Sequence, residues 1–192
     1  MLVAVNAKWG FGTVVSRASY LSKKDRLKRL ARRIDALTRL DQTVIQRTRE
    51  ITALRRQAAL ELHTLCAAFV SDLDDLLNET SLELDPIEYR PENFQDHGIN
   101  LFQINAQGRI LQIKFEATAE LTSTENFRVP YILEGAVRCF NQQLLEQDLI
   151  EEQLLYYTLE KRRNQWRFFD ARTYRSGPLD IEYLIGLMEQ LV

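Results

Sequence analysis

Three side chains stand in the order found at metal-dependent nuclease sites, where an acid precedes an acid or amide and a lysine on the next strand. They are Asp96, Gln112 and Lys114. The alternating surface of an antiparallel hairpin produces the same order, and glutamine is a poorer ligand for a hard cation than a second carboxylate. A metal-dependent nuclease is therefore only the third hypothesis for the function of this chain, after the two given at the end of this subsection. No residue is assigned a catalytic role.

The other reactive residue types do not form a recognisable site. His63 and Cys66 are one helical turn apart, but a zinc site needs four ligands, and only His97 and Cys139 remain among residues of these two types. No Gly-x-Ser-x-Gly turn occurs, and no glycine-rich loop leads into a Lys-Ser or Lys-Thr pair. We expect no metal, no cofactor and no disulfide, and the sequence favours a protein that is not an enzyme.

Charge is divided unequally along the chain. Residues 1–60 contain 14 Lys and Arg against 4 Asp and Glu, a balance of +10, and residues 61–192 contain 11 against 23, a balance of −12. The basic residues are densest at Lys23, Lys24, Arg26, Lys28, Arg29, Arg32 and Arg33. This basic cluster could bind an acidic protein surface, the phosphates of a nucleic acid or an anionic membrane surface. It lacks the interleaved aromatic residues of a single-strand stacking platform.

A long helix is predicted to display the basic cluster. No glycine or proline occurs between Ser22 and Pro86, and apolar residues recur at heptad spacing, so we expect one helix over 22–82 with coiled-coil character. One heptad column is apolar throughout, but the other is polar at three central positions. A break near Asp41, which would give a helical hairpin, is the alternative. The residues expected to form a helix interface are Leu30, Ile34, Leu37, Val44, Ile51, Leu62, Leu65 and Phe69.

After Pro86 the hydrophobic period changes from helical to alternating. Strands are expected at 99–104, 110–119, 131–140, 154–159 and 166–174, with short helices at 141–152 and 181–191. Along the second strand, Leu111, Ile113, Phe115 and Ala117 should form the buried row. Asp180 is placed to cap the last helix.

The predicted fold class is α+β, with a mostly antiparallel sheet of about five strands covered by helices. Three parts are expected: a short extended element over 1–21, the long charged helix over 22–82 and a head domain over 83–192.

This organisation favours a non-enzymatic interaction or assembly subunit. Its long helix would form a homo-oligomer or dock into a larger protein complex, and its head would meet a protein partner. The basic cluster at the start of one helix, paired with the acidic residues near the end of another, would orient the helices. These acidic residues are Asp72, Asp74, Asp75 and Glu79. The second hypothesis is a nucleic-acid-associated factor that uses the basic cluster. No run approaches the roughly 18 to 20 apolar residues of a membrane span, and no signal peptide is recognised, so a cytoplasmic location is expected.

Overall fold

The computed structural model describes residues 23–125, 127–141, 146, 150–160 and 163–191. The predicted extended element over 1–21 and most of the predicted helix over 141–152 lie outside the described residues. The chain divides into two compact units, residues 1–45 and 46–192.

Helix α1 spans Lys23–Asp74 and is continuous through Asp41, so the predicted long helix is confirmed and no hairpin forms there. It ends before the predicted boundary at residue 82. The carboxylate of Asp74 accepts a hydrogen bond of 2.7 Å from the backbone N–H of Leu82, which ties the following segment to the helix end. No helix in the described part of the chain is both long and apolar enough to cross a membrane.

The described residues contain seven antiparallel strands, each paired with its neighbours in sequence. They are β1 Glu83–Asp85, β2 Asn100–Ala106, β3 Arg109–Thr122, β4 Tyr131–Phe140, β5 Glu151–Thr158, β6 Gln165–Asp170 and β7 Arg175–Pro178. The α+β class is confirmed, whereas the predicted count of about five strands is wrong. The two additional strands, β1 and β7, are edge strands of three and four residues, too short to show a clear alternation of apolar and polar positions.

The turn after β6 explains why that strand is shorter than predicted. The carboxylate of Asp170 accepts hydrogen bonds of 2.9 Å from the backbone N–H of Arg172 and from the hydroxyl of Thr173. Tyr174 then adopts a positive φ of 56°, which a regular strand does not allow. The chain therefore reverses at once and returns as β7.

One cluster of buried side chains joins the second half of α1, the sheet and helix α2, Ile181–Glu189. The predicted row on β3 is buried at Leu111, Ile113 and Phe115, and Ala117 is half-buried at its end. Helix α2 begins at Asp180, whose carboxylate accepts from the N–H of Tyr183 at 3.0 Å, as the sequence predicts. The main core thus lies on one face of the sheet, and a smaller buried cluster of Phe127, Tyr131, Tyr156 and Phe169 lies on the other face.

Candidate interaction surface on helix α1

The first half of α1 carries a row of exposed apolar side chains. The seven members are Leu27, Leu30, Ile34, Leu37, Leu40, Val44 and Ile45, and each is between 50% and 59% exposed. At 100° per residue they fall within an arc of about 140° of the helix surface. Contiguous exposed apolar patches of this kind commonly mark interaction sites. We call these seven residues the apolar stripe.

In the second half of α1 the apolar residues at heptad spacing pack in the core. Of the eight predicted interface residues, Leu30, Ile34, Leu37 and Val44 belong to the apolar stripe, whereas Ile51, Leu62, Leu65 and Phe69 pack in the core against the sheet. Ala58, Ala59 and Cys66 are completely buried in this half. Small residues let a helix approach a sheet closely, and the helix has five alanines over 51–74 against two over 23–50, which is the sequence signal that separates the two halves.

Arg55 shows why one polar residue interrupts the predicted heptad row. Its guanidinium donates to the carbonyl oxygen of Ile132 at 3.2 Å and to that of Thr118. These carbonyls lie where the pairing of β3 with β4 loses its regular register. The side chain is thus a link between α1 and the sheet, and burial lowers the pKa of its guanidinium.

The basic cluster lies on the same half of α1 as the apolar stripe, and all seven of its side chains are exposed. Residues 23–33 contain seven basic residues and one acid, Asp25, which gives +6. Residues 34–50 contain three basic and three acidic residues, which gives zero. The exposed part of the helix therefore has one strongly positive end and one neutral end.

The three residues of the nuclease hypothesis are not brought together. Asp96 forms an ion pair of 2.7 Å with Arg56 of α1, on the core side of the sheet. Gln112 and Lys114 alternate with the buried row of β3 and so lie on the opposite face, where Lys114 is 3.7 Å from Glu152. In the part of the chain that the structure describes, no group of three or more His, Cys, Asp or Glu side chains could hold a metal ion.

His63 has a packing role in the structure. It is buried, its Nε2 is 2.8 Å from the carbonyl oxygen of Pro86, and its ring stacks on Tyr89 with 5.5 Å between centroids. His63 therefore fixes the segment after β1 against the helix.

Cys66 and Cys139 are free thiols, and burial raises the pKa of each to about 12.

An apolar cavity of about 450 Å³ lies within the second unit, beside the end of α1. Phe69 and Met188 are among its apolar lining residues, and Arg109 and Glu189 are its charged ones. Arg109 is held in place because its Nε donates to the carbonyl oxygen of Leu191 at 3.1 Å. The volume is typical of small-molecule sites, but the lining does not contain the reactive residues singled out in the sequence.

No protein-family model matches this chain, and no curated protein or solved structure matches it either. A functional hypothesis therefore depends on the geometry of the chain itself. Its most distinctive feature is an α+β fold whose long helix packs one half against a sheet and exposes an apolar stripe on the other half.

Proposed function

We propose that this protein is a non-enzymatic assembly subunit that self-associates through the apolar stripe of α1. The observation that carries the proposal is the exposure of seven large apolar side chains on one arc of the helix. Removing apolar surface from water is favourable by about 25 cal/mol per Å². Since an isolated helix in water is only marginally stable, pairing with a second helix would also stabilise the helical conformation.

The α+β head would present a second surface to a protein partner. On the sheet face opposite the core, Lys114 and Arg138 both form ion pairs with Glu152, and all three side chains remain partly exposed. Charged groups arranged in this way favour a partner with a polar, complementary surface over a hydrophobic one. The head would thus supply specificity while the helix supplies association.

The first test is to place charges in the apolar stripe. In the variant with Leu30→Asp and Leu37→Asp, four charges enter the interface of a dimer, so we expect the dissociation constant to rise by at least about a hundredfold. Sedimentation velocity on nuclease-treated protein measures the mass across the micromolar range. Nuclease treatment removes any oligomer that is bridged by nucleic acid.

The matched control is the variant with Ala36→Asp and Thr43→Asp. It adds the same two charges at the same spacing of seven residues, but outside the arc of the stripe. We expect it to keep the mass of the wild type. A wild type that stays monomeric at every concentration, or equal losses in the two variants, would contradict the proposed function.

A further inference from the structure

Building on the proposed function, we infer that the partner of the apolar stripe is a second copy of this chain and that two α1 helices pair antiparallel over residues 27–45. The inference comes from the apolar pattern, from one acid inside the pattern and from the position of the basic cluster. An antiparallel pair of identical helices has two-fold symmetry and buries the same patch on both copies.

The antiparallel pairing brings the apolar residues of the stripe together in layers. With residue 27 opposite residue 44, Leu27 packs against Val44 of the second copy, and Ile34 packs against Leu37 of the second copy. Symmetry repeats both layers. The contact therefore stays within the exposed half of the helix and does not require Ile51 or Phe69, which are already used in the core.

Asp41 distinguishes the two possible orientations. It lies in the heptad row of the stripe, between Leu37 and Val44. In a parallel, in-register pair, Asp41 would face Asp41 of the second copy, and two carboxylates would be desolvated side by side. In the antiparallel pair it lies opposite Leu30 of the second copy, beside Arg33 of that copy. The acid then gains an oppositely charged partner at the edge of the interface.

The basic cluster favours the same orientation. A parallel pair would hold two segments of +6 side by side at a helix separation of about 8–10 Å, close to the screening length of about 8 Å at physiological salt. The antiparallel pair separates the clusters by about 22 Å along the axis, because some 15 residues lie between them at 1.5 Å each. Each cluster then faces the neutral segment of the other copy. One like-charge contact remains at each end, between Arg26 and Arg47 of the second copy.

A charge exchange tests the contact between Asp41 and Arg33. We expect Asp41→Arg alone and Arg33→Glu alone each to raise the dissociation constant by about tenfold or more, since each occurs twice in the dimer. The double variant restores both contacts with their charges reversed and should return to within about threefold of the wild type. In a parallel pair Asp41 of one copy and Arg33 of the other are eight residues apart along the axis and do not meet. The double variant would then not recover the affinity of the wild type, and the losses from the two single variants would add.

Spin labels measure the orientation independently. Labels are placed one at a time at Arg29, Ala36 and Thr43, which share one heptad position, in a Cys66→Ala, Cys139→Ser background. The antiparallel pair predicts axial label separations of about 20, 2 and 22 Å, so the distance passes through a minimum at Ala36. A parallel pair gives equal distances at all three positions.

The outcomes separate this inference from the proposed function. Restoration by the double variant, or a distance minimum at Ala36, supports the antiparallel pair. If the dimer depends on the apolar stripe, but the three label distances are equal and the double variant does not recover wild-type affinity, the antiparallel orientation is overturned and the proposed function stands. If the labelled background fails to fold, the charge exchange decides, because it retains both cysteines. A protein that is monomeric throughout overturns the orientation and the proposed function together.

Discussion

Arg55 occupies a position on α1 where the heptad pattern calls for an apolar side chain. Its guanidinium donates to the backbone carbonyls of Thr118 and Ile132, and the Ile132 carbonyl also accepts from the hydroxyl of Thr118 at 3.2 Å. Carbonyl groups beside an irregular strand pairing lack part of their ladder, and a buried carbonyl without a partner is costly. Arg55 therefore replaces missing sheet hydrogen bonds with charge-assisted ones.

Removing this side chain should destabilise the protein even though it makes the heptad row more apolar. We expect Arg55→Leu to lower the free energy of unfolding by roughly 2–3 kcal/mol, because the Thr118 carbonyl loses its charged donor and the Ile132 carbonyl keeps only the hydroxyl of Thr118. Urea unfolding of wild type and variant measures the difference. Arg49→Leu, an exposed site on the same helix, is the control and should change stability by less than about 0.5 kcal/mol. Equal stability of the two variants would contradict this role of Arg55.

Single residues differ in how far their roles could be predicted. The cap at Asp180 was predicted because its partner, Tyr183, is three residues away. The role of Arg55 could not be, because its partners are 63 and 77 residues away along the chain. Asp41 is polar in the same heptad row, yet it is exposed. Local spacing thus indicates where a polar residue interrupts a row, while only the fold decides whether the residue serves the core or the surface.

At the scale of elements, the centre of the sheet depends on a close approach between β3 and β4. Gly135 lies opposite Phe115, and a Cβ atom added to Gly135 would overlap the backbone oxygen of Lys114 and the side chain of Phe115. Both neighbours are fixed, since one is strand backbone and the other is a buried ring. The absent side chain of Gly135 therefore sets the spacing of the two strands.

Two alanine substitutions should have opposite effects. Gly135→Ala should lower the free energy of unfolding by about 1–3 kcal/mol, because the strands must separate or twist. Gly186→Ala should raise it by about 0.5–1 kcal/mol, because Gly186 lies inside α2 with open space around its Cβ position, and alanine is the better helix former. Chemical denaturation of both variants provides the comparison. Stabilisation by Gly135→Ala would show that the strand spacing is not limiting.

At the scale of the whole molecule, the unequal charge of the two parts of the chain and the long helix could be predicted from the sequence. Which half of the helix packs in the core could not. Apolar residues at heptad spacing occur on both sides of the polar positions, from Leu27 to Phe69, so spacing alone does not show that the second half packs against the sheet. The higher alanine content after position 50, which includes the buried Ala58 and Ala59, is the local sign of the packed part. That packing includes contacts with distant strands, such as the hydrogen bond from Trp166 of β6 to the carbonyl oxygen of Ala58, 108 residues away, which no local pattern specifies.

The core also contains several groups that stay protonated when the protein is folded. Burial is the main reason that the pKa values of Cys66, Tyr89 and Tyr157 rise to about 12, and for Tyr157 the nearby Glu61 adds to the effect. In the unfolded chain a cysteine has a pKa of about 8.5 and a tyrosine about 10. Between these values and about 12, the folded state therefore holds protons that the unfolded state has released.

The free energy of unfolding should consequently be highest below about pH 8.5 and fall as the pH rises toward 12, by up to about 1.4 kcal/mol per pH unit for each such group. Cys66 and Cys139, whose pKa values burial raises equally, titrate first in the unfolded chain, so the two thiols together should account for most of the decline between about pH 8.5 and 10. Urea midpoints measured at intervals from pH 7 to about 11 test this, with Cys66→Ala as the comparison. The variant loses stability at every pH because it leaves a cavity, but its decline below about pH 10 should be shallower than that of the wild type. Identical slopes in that window would show that ionisation of the Cys66 thiol does not contribute to alkaline destabilisation.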